Sequence, residues 1–237
     1  MTANRRPTPV DLSLYFILGP DHWGERDPAW LVREAVAGGA TLVQLRAKQT
    51  GTREMIEMAR ALKRALAGTG VPLLINDRAD VALAAEADGV HVGRDDIAPA
   101  DARRLLGPDA VVGVTVKTPA EADAVDPRVV DYASVGGIFT TLSKRNPDPP
   151  IGLAGLRDRV ARIRGVAPGL PISAIAGVNA TNAETVVRAG ADGVALVSAV
   201  AAAADPRAAA WSLAVAVAAA KATRAAPSPP KQEEVDP

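Results

Sequence analysis

Oxygen and nitrogen groups suited to an anion and a hard cation recur at the ends of short apolar runs. Gln44, Arg46 and Lys48 alternate beyond Leu42 and Val43, so an extended chain sends all three to one side. Asn76 and Asp77 follow the run Leu73 to Ile75, and Gly93-Arg94-Asp95-Asp96 follows Gly89 to Val92. Cations beside carboxylates on neighbouring runs suit a phosphate-bearing ligand held with magnesium, which uses one or two carboxylates and takes its other ligands from phosphate and water. Taken singly, Arg46-Ala47-Lys48 reads as a solvated strand end, while Asp77 and Asp96 read as helix starts near Ala79 and Pro99. Their repetition at matching places favours a shared site.

Composition narrows the chemistry further. Cysteine is absent and His22 and His91 supply the only imidazoles, which excludes disulfides, thiolate nucleophiles, sulfur-bound zinc and a histidine-rich metal centre. Lys plus Arg and Asp plus Glu both total 27 among 237 residues, so no long-range field gathers nucleic acid or anionic membrane. The N-terminus lacks the apolar core of a secretory signal, and the longest apolar stretch, Trp211 to Ala220, is too short to span a bilayer and reads as a terminal helix. These features fit a reducing, cytoplasmic setting.

Catalytic groups need a scaffold that brings strand ends together. Eight apolar runs alternate with alanine-rich stretches: Leu14 to Leu18, Leu42 to Leu45, Leu73 to Ile75, Gly89 to Val92, Val111 to Val114, Tyr132 to Val135, Ile172 to Ile175 and Val194 to Val197. That is the pattern of strands buried on both faces and covered by helices. Related phrases at Ala37-Gly38-Gly39-Ala40, Ala87-Asp88-Gly89-Val90 and Ala189 to Val194 read as a helix end running into a strand. The expected fold is a single α/β domain, a (β/α)8 TIM barrel over residues 11–224, in preference to an open doubly wound sheet. Residues 1–10 are expected to be flexible and the proline-rich residues 225–237 a disordered tail.

In such a barrel the mouth lies at the C-terminal ends of the strands. Strand five brings Thr115 there, and strand six leads into Gly136-Gly137-Ile138-Phe139-Thr140-Thr141-Leu142-Ser143-Lys144, a hydroxyl-rich loop with a lysine suited to phosphate. Pro147, Pro149 and Pro150 stiffen its exit, consistent with a lid. Strands seven and eight end at Gly177 and at Val197-Ser198, where barrels commonly seat a phosphate on loop amides and a short extra helix, here expected over residues 198–203. His91, in mid-strand, reads as a packed or supporting residue.

Val43 to Lys48, Ile75 to Arg78, Gly89 to Asp96, Gly137 to Lys144 and the last two strand ends, in this order over roughly residues 12 to 204, together resemble the thiamine phosphate synthase family. The resemblance implies that Arg46, Lys48, Asn76 and Lys144 hold a substrate pyrophosphate and that Asp77 and Asp96 bind the Mg2+ bridging it. It also implies that Gln44 and Thr115 orient an aminopyrimidine, that Thr141 and Ser143 lie near the thiazole and lid, and that Gly177, Val197 and Ser198 receive a thiazole phosphate. Arg46, Lys48, Thr115 and Lys144 are the implied catalytic set, acting on two small molecules with release of pyrophosphate. A homo-oligomer is left open. The chain departs from the common family pattern at Arg94 for glutamine, Thr115 for serine, Gly137 and Thr140 for prolines and Ala176 for glycine. A thiazole tautomerase-like paralogue and a non-catalytic phosphate-binding barrel are the alternatives; neither requires the full pyrophosphate set.

Overall fold

A strand buried on both faces must be covered twice, and a barrel does so with helices outside and side chains within. The computed structural model describes residues 9–141 and 148–225. Its strands are β1 (Leu14–Leu18), β2 (Leu42–Leu45), β3 (Leu73–Asn76), β4 (Gly89–Val92), β5 (Val111–Val116), β6 (Tyr132–Val135), β7 (Ile172–Ile175) and β8 (Gly193–Leu196). They close in sequence order into a parallel barrel, β8 returning to pair with β1. Around it run α1 (Pro20–Trp23), α2 (Pro28–Ala37), α3 (Thr52–Ala65), α4 (Ala79–Ala84), α5 (Pro99–Leu106), α6 (Pro119–Asp123), α7 (Gly152–Val166), α8 (Ala183–Arg188), α9 (Ser198–Ala201) and α10 (Pro206–Ala225).

Strand alternation divides the apolar residues into two bodies. Leu14, Phe16 and Leu18 of β1 pack outward with Val43, Ile75, Val90 and the buried faces of the helices. Tyr15 and Ile17 turn inward beside Leu42, Leu74, Val111, Tyr132 and Ala195. The helices follow from local chemistry: Asp27 accepts from the amides of Ala29 and Trp30 before Pro28 opens α2, and Thr118 and Glu121 form a reciprocal cap on α6. In α3 the buried residues Met55, Ala59 and Leu62 recur at helical spacing.

A repeated polar clasp sets the register at the lower rim. The residue just before each even-numbered strand accepts the amide of an odd-numbered strand: Thr41 from Leu14 at 3.1 Å, Asp88 from Leu73 at 2.8 Å, Asp131 from Val112 at 2.7 Å and Asp192 from Ile172 at 2.9 Å. A cation on the helix before the odd-numbered strand completes each acidic clasp, Lys63 of α3 on Asp88, Arg103 of α5 on Asp131 and Arg164 of α7 on Asp192. Two of the phrases that read as helix ends therefore carry a second function, because Asp88 and Asp192 within them hold adjacent strands together.

Several boundaries differ from expectation: β3 runs one residue further, to Asn76, β5 two further, to Val116, and β8 starts one earlier, at Gly193. β8 stops at Leu196 because Val197 turns away (φ −118°, ψ −90°) to begin α9. α10 runs through Ala225, one residue into the stretch expected to be a disordered tail, the rest of which lies outside the described residues, as do residues 1–8 of the expected N-terminal segment. No described helix is long and apolar enough to cross a membrane.

The Asp131 clasp is well buried, with side-chain exposures of 17% for Arg103 and 8% for Asp131. Asp131→Ala leaves the Arg103 charge with backbone carbonyls but no carboxylate, and the Val112 amide without its acceptor, so urea denaturation is expected to show a loss of about 3 kcal/mol. A loss under about 1 kcal/mol would show that the clasp does not set the register.

Candidate active site

At the barrel mouth the chain is bent so that carboxylates and cations meet. Asp77 follows β3 at φ 65°, and the Arg78 amide reaches back to the Asn76 carbonyl at 2.8 Å. This is a γ-turn with Asp77 at its apex, a strained conformation that aspartate tolerates better than most residues. The Asp77 amide meanwhile donates to the His91 carbonyl of β4 at 2.8 Å. Asp96 is steered from the other side, its Oδ2 accepting from the Gly93 amide at 2.8 Å. The two carboxyl groups come within hydrogen-bonding reach of each other, and Lys48 lies 2.9 Å from Asp77. Burial and then Asp96 push the Asp77 carboxyl above its ordinary range, while Lys48 opposes the shift.

Arg46 owes its place to Gly19. A Cβ at Gly19 would fall 1.9 Å from the Arg46 carbonyl oxygen, and the Arg46 amide donates to Leu18 at 2.7 Å. Arg46, Lys48, Asn76, Asp77 and Asp96 line one open cavity, with Lys117 and Arg94 on its edge. Arg94 turns to the side, its Nε 2.7 Å from Glu121 on α6. Its charge therefore adds to the rim and not to the carboxylate pair.

A second cavity continues inward. Gln44, Arg46, Asn76, Thr115 and Thr141 line it on one side, Gly177, Val197 and Ser198 on the other. Arg46, Asn76, His91 and Thr115 belong to both cavities, so the two share a wall. Gly177 has φ 68°, and a Cβ there would meet the Thr140 carbonyl oxygen at 2.5 Å. Glycine lets the β6 and β7 loops touch. Ala176, where the family usually has a second glycine, adopts φ 89°.

The inner floor is a polar chain. Gln44 Nε2 donates to the Tyr15 hydroxyl, which lies 2.9 Å from the Tyr132 hydroxyl. Tyr132 is 2.8 Å from His91 Nδ1, and His91 Nε2 is 2.8 Å from Thr115 Oγ1. Burial raises the hydroxyl pKa of both tyrosines, so both keep their protons.

The sequence-based site residues thus fall into one mouth where they are described. Ser143 and Lys144, with the lid expected around them, lie outside the described residues. Asp77 does not cap α4, whose N-cap is Arg78, and Asp96 does not start α5, which opens after Ala98. Sequence reasoning missed Tyr15, Tyr132 and His22 as cavity or floor residues and treated His91 as support only. Their inward strand positions were a usable signal, since Tyr15 and Tyr132 are the only tyrosines in the chain.

An eight-stranded barrel with paired carboxylates, cations and glycine loops at one mouth is of the class that binds anionic small molecules. The chain belongs to the thiamine monophosphate synthase family, whose model matches residues 14–200. A thiamine-phosphate synthase of Agrobacterium fabrum (strain C58) is 50% identical over 170 residues, covering 72% of this chain and 77% of that protein. One from Xanthobacter autotrophicus (strain Py2) is 47% identical over 215 residues, covering 91% and 100% respectively. Among solved structures, a thiamine phosphate pyrophosphorylase from Pyrococcus furiosus superposes with a TM-score of 0.77 at 34% identity, over 89% of this chain and 98% of that one. A 3-hexulose-6-phosphate synthase, at TM-score 0.60 and 20% identity, shares the fold alone.

Because the Asp77 pKa is raised on folding, its ionisation opposes the folded state. Stability from this group is full below the usual aspartate range and declines as pH rises through the raised value. In chelator at neutral pH, Asp77→Asn is therefore expected to melt higher than the parent, the gap closing as pH falls below the usual aspartate range. A variant that melts lower at neutral pH would contradict the crowding of the two carboxylates.

Proposed function

We propose that this chain is a thiamine-phosphate synthase that couples 4-amino-2-methyl-5-(diphosphooxymethyl)pyrimidine with 4-methyl-5-(2-phosphoethyl)thiazole. The observation that carries the reading is the shared wall: Arg46, Asn76, His91 and Thr115 line both the cation-and-carboxylate rim and the glycine-lined inner cavity. The rim suits a pyrophosphate and the inner cavity a planar heterocycle, with Gly177 and Ser198 beside it for a second phosphate. Residues 11–224 form the catalytic domain in this reading, acting on small molecules in the cytoplasm.

Magnesium fits this donor set. Two crowded carboxylates that push one pKa upward are relieved by a divalent cation between them. Among the described residues no group of three or more His, Asp or Glu side chains gathers as a metal centre; magnesium can draw its other ligands from substrate phosphate and water. Asp77 and Asp96 would hold it. When bound, magnesium supplies positive charge to the pyrophosphate oxygens.

The residues of the chain divide the remaining work. Arg46 and Lys48 stabilise the charge that grows on pyrophosphate as the carbon–oxygen bond breaks and its electron pair leaves with oxygen. Gln44 and Thr115 orient the aminopyrimidine, whose ring donates electron density to the methylene cation. Thr141 and Ser143 serve the thiazole side and Lys144 the pyrophosphate, Ser143 and Lys144 lying beyond the described residues. Gly177, Val197 and Ser198 anchor the thiazole phosphate so that the ring nitrogen lone pair faces the methylene carbon and forms the new carbon–nitrogen bond, the nitrogen becoming cationic. No proton moves in that step. Holding both partners in place replaces an encounter in solution.

With both substrates, pyrophosphate release is expected to require magnesium and to stop in chelator. Asp77→Asn and Lys144→Ala are each expected to lower turnover at least about 100-fold while the far-ultraviolet spectrum stays unchanged. Release that persists in chelator, or full turnover in both variants, would overturn the assignment.

A further inference from the structure

The floor of the inner cavity is a chain of hydrogen bonds, and with the Gln44 amide placed to donate, one ordering gives every proton in it a partner. Gln44 Nε2 can only donate, so the Tyr15 oxygen accepts there. Tyr15 then has one proton left for its other partner, the Tyr132 oxygen at 2.9 Å. Tyr132, having accepted, gives its proton to His91 Nδ1 at 2.8 Å. A neutral imidazole that accepts at Nδ1 carries its proton on Nε2, which donates to Thr115 Oγ1 at 2.8 Å. The hydroxyl proton of Thr115 is left to point elsewhere, and Thr115 lines the cavity. At the opposite end Gln44, also a lining residue, keeps its carbonyl oxygen as an acceptor.

We propose that Tyr15, Tyr132 and His91 are positioning residues forming a one-way relay that fixes Gln44 as an acceptor and Thr115 as a donor, so that the pocket selects an amino-substituted pyrimidine over its oxo counterpart. An aminopyrimidine offers an N–H donor beside a ring-nitrogen acceptor, and the relay presents the complement. Reversing every proton would make Gln44 a donor and Thr115 an acceptor, the pattern that suits a ring N–H beside a carbonyl. The two polarities therefore read different ligands, and only one is built.

The surroundings hold the relay in place. Tyr15 and Tyr132 are fully buried, and their rings meet edge-on with centroids 5.8 Å apart. His91 stacks on Tyr132 at 5.5 Å and 27°. Gly113 leaves the room, since a Cβ there would fall 2.1 Å from Tyr132 Cζ. Phenols raised in pKa by burial do not ionise near neutrality, so neither can reverse the order by losing its proton.

This inference rests on the aminopyrimidine reading of the same cavity, but its first test needs no turnover. In the 15N-labelled full chain, long-range nitrogen–proton correlation reports which nitrogen of each histidine bears the proton; with two histidines in the sequence, His22→Gln completes the assignment. His91 is expected to be protonated on Nε2 and accepting at Nδ1; protonation on Nδ1 would overturn the proposal. The second test measures binding of the 5-hydroxymethyl forms of the 4-amino and 4-oxo 2-methylpyrimidines. The parent is expected to prefer the amino form, and Tyr132→Phe, which keeps the ring but breaks the relay, to reduce that preference about tenfold. A parent that prefers the oxo form, or a preference unchanged in Tyr132→Phe, would overturn it. Failure of pyrophosphate release in the earlier assay with the Nε2 proton in place would count against the reaction and leave the relay standing.

Discussion

The edge between β3 and β4 carries the mouth of the barrel. Asn76 pairs with His91 in register, and the next amide, that of Asp77, still reaches the His91 carbonyl. That one backbone bond holds the γ-turn that thrusts the Asp77 carboxylate toward Asp96. It also fixes the strand that lifts the His91 ring into the inner cavity. A shift of β3 by one residue would turn Asn76 to the helices and carry the carboxylate away from both Lys48 and Asp96. The lower-rim clasp between Asp88 and the Leu73 amide secures the same two strands at their other end. Rim chemistry and inner floor are thus set by one pairing, pinned at both ends.

The interior is more polar than a barrel needs for filling. Beside Ile17, Leu42, Leu74, Val111 and Ala195, the polar residues Gln44, Tyr15, Tyr132, His91 and Thr115 run across the space, each bonded to the next. Buried polar groups are tolerable when each finds a partner and costly when one does not. The bulk of the tyrosines is accommodated by taking volume away next door, at Gly113. A strand glycine weakens its own strand by backbone entropy, so this packing gives up local stability to seat a ring whose hydroxyl must meet His91. Strain at Asp77 and Ala176, both non-glycine residues with positive φ at the mouth, follows the same logic.

Much of this was legible in the sequence, and the reasons differ by element. The strands announced themselves because double burial leaves short runs rich in Val, Ile and Leu, and Gln44, Arg46 and Lys48 could be assigned to one side from alternation alone. Asp77 and Asp96 were legible as site candidates but not as a crowded pair, since their proximity depends on a γ-turn and on the Gly93 amide. Asp88 and Asp192 were hidden inside a phrase whose glycines already explained it, and Asp131 lay outside any such phrase. Tyr15 and Tyr132 were hidden in a different way: within an apolar run an aromatic ring reads as filling, and nothing local shows that two hydroxyls 117 residues apart will touch.

The shared wall has a consequence for how two ligands meet. Arg46, Asn76, His91 and Thr115 border both cavities, so a ligand at the rim and one inside touch the same side chains. In the reading proposed above, a pyrophosphate gripped at the rim would keep its attached heterocycle beside the inner cavity, and a second ring entering from the Gly177 and Ser198 side would approach along the same floor. The polar side chains lie on the wall, on β2 through β5, whereas the far side offers backbone turns and small side chains. One partner would then be held by its orientation and the other by its phosphate. That division suits a reaction in which the first must ionise in a fixed plane and the second need only present a lone pair.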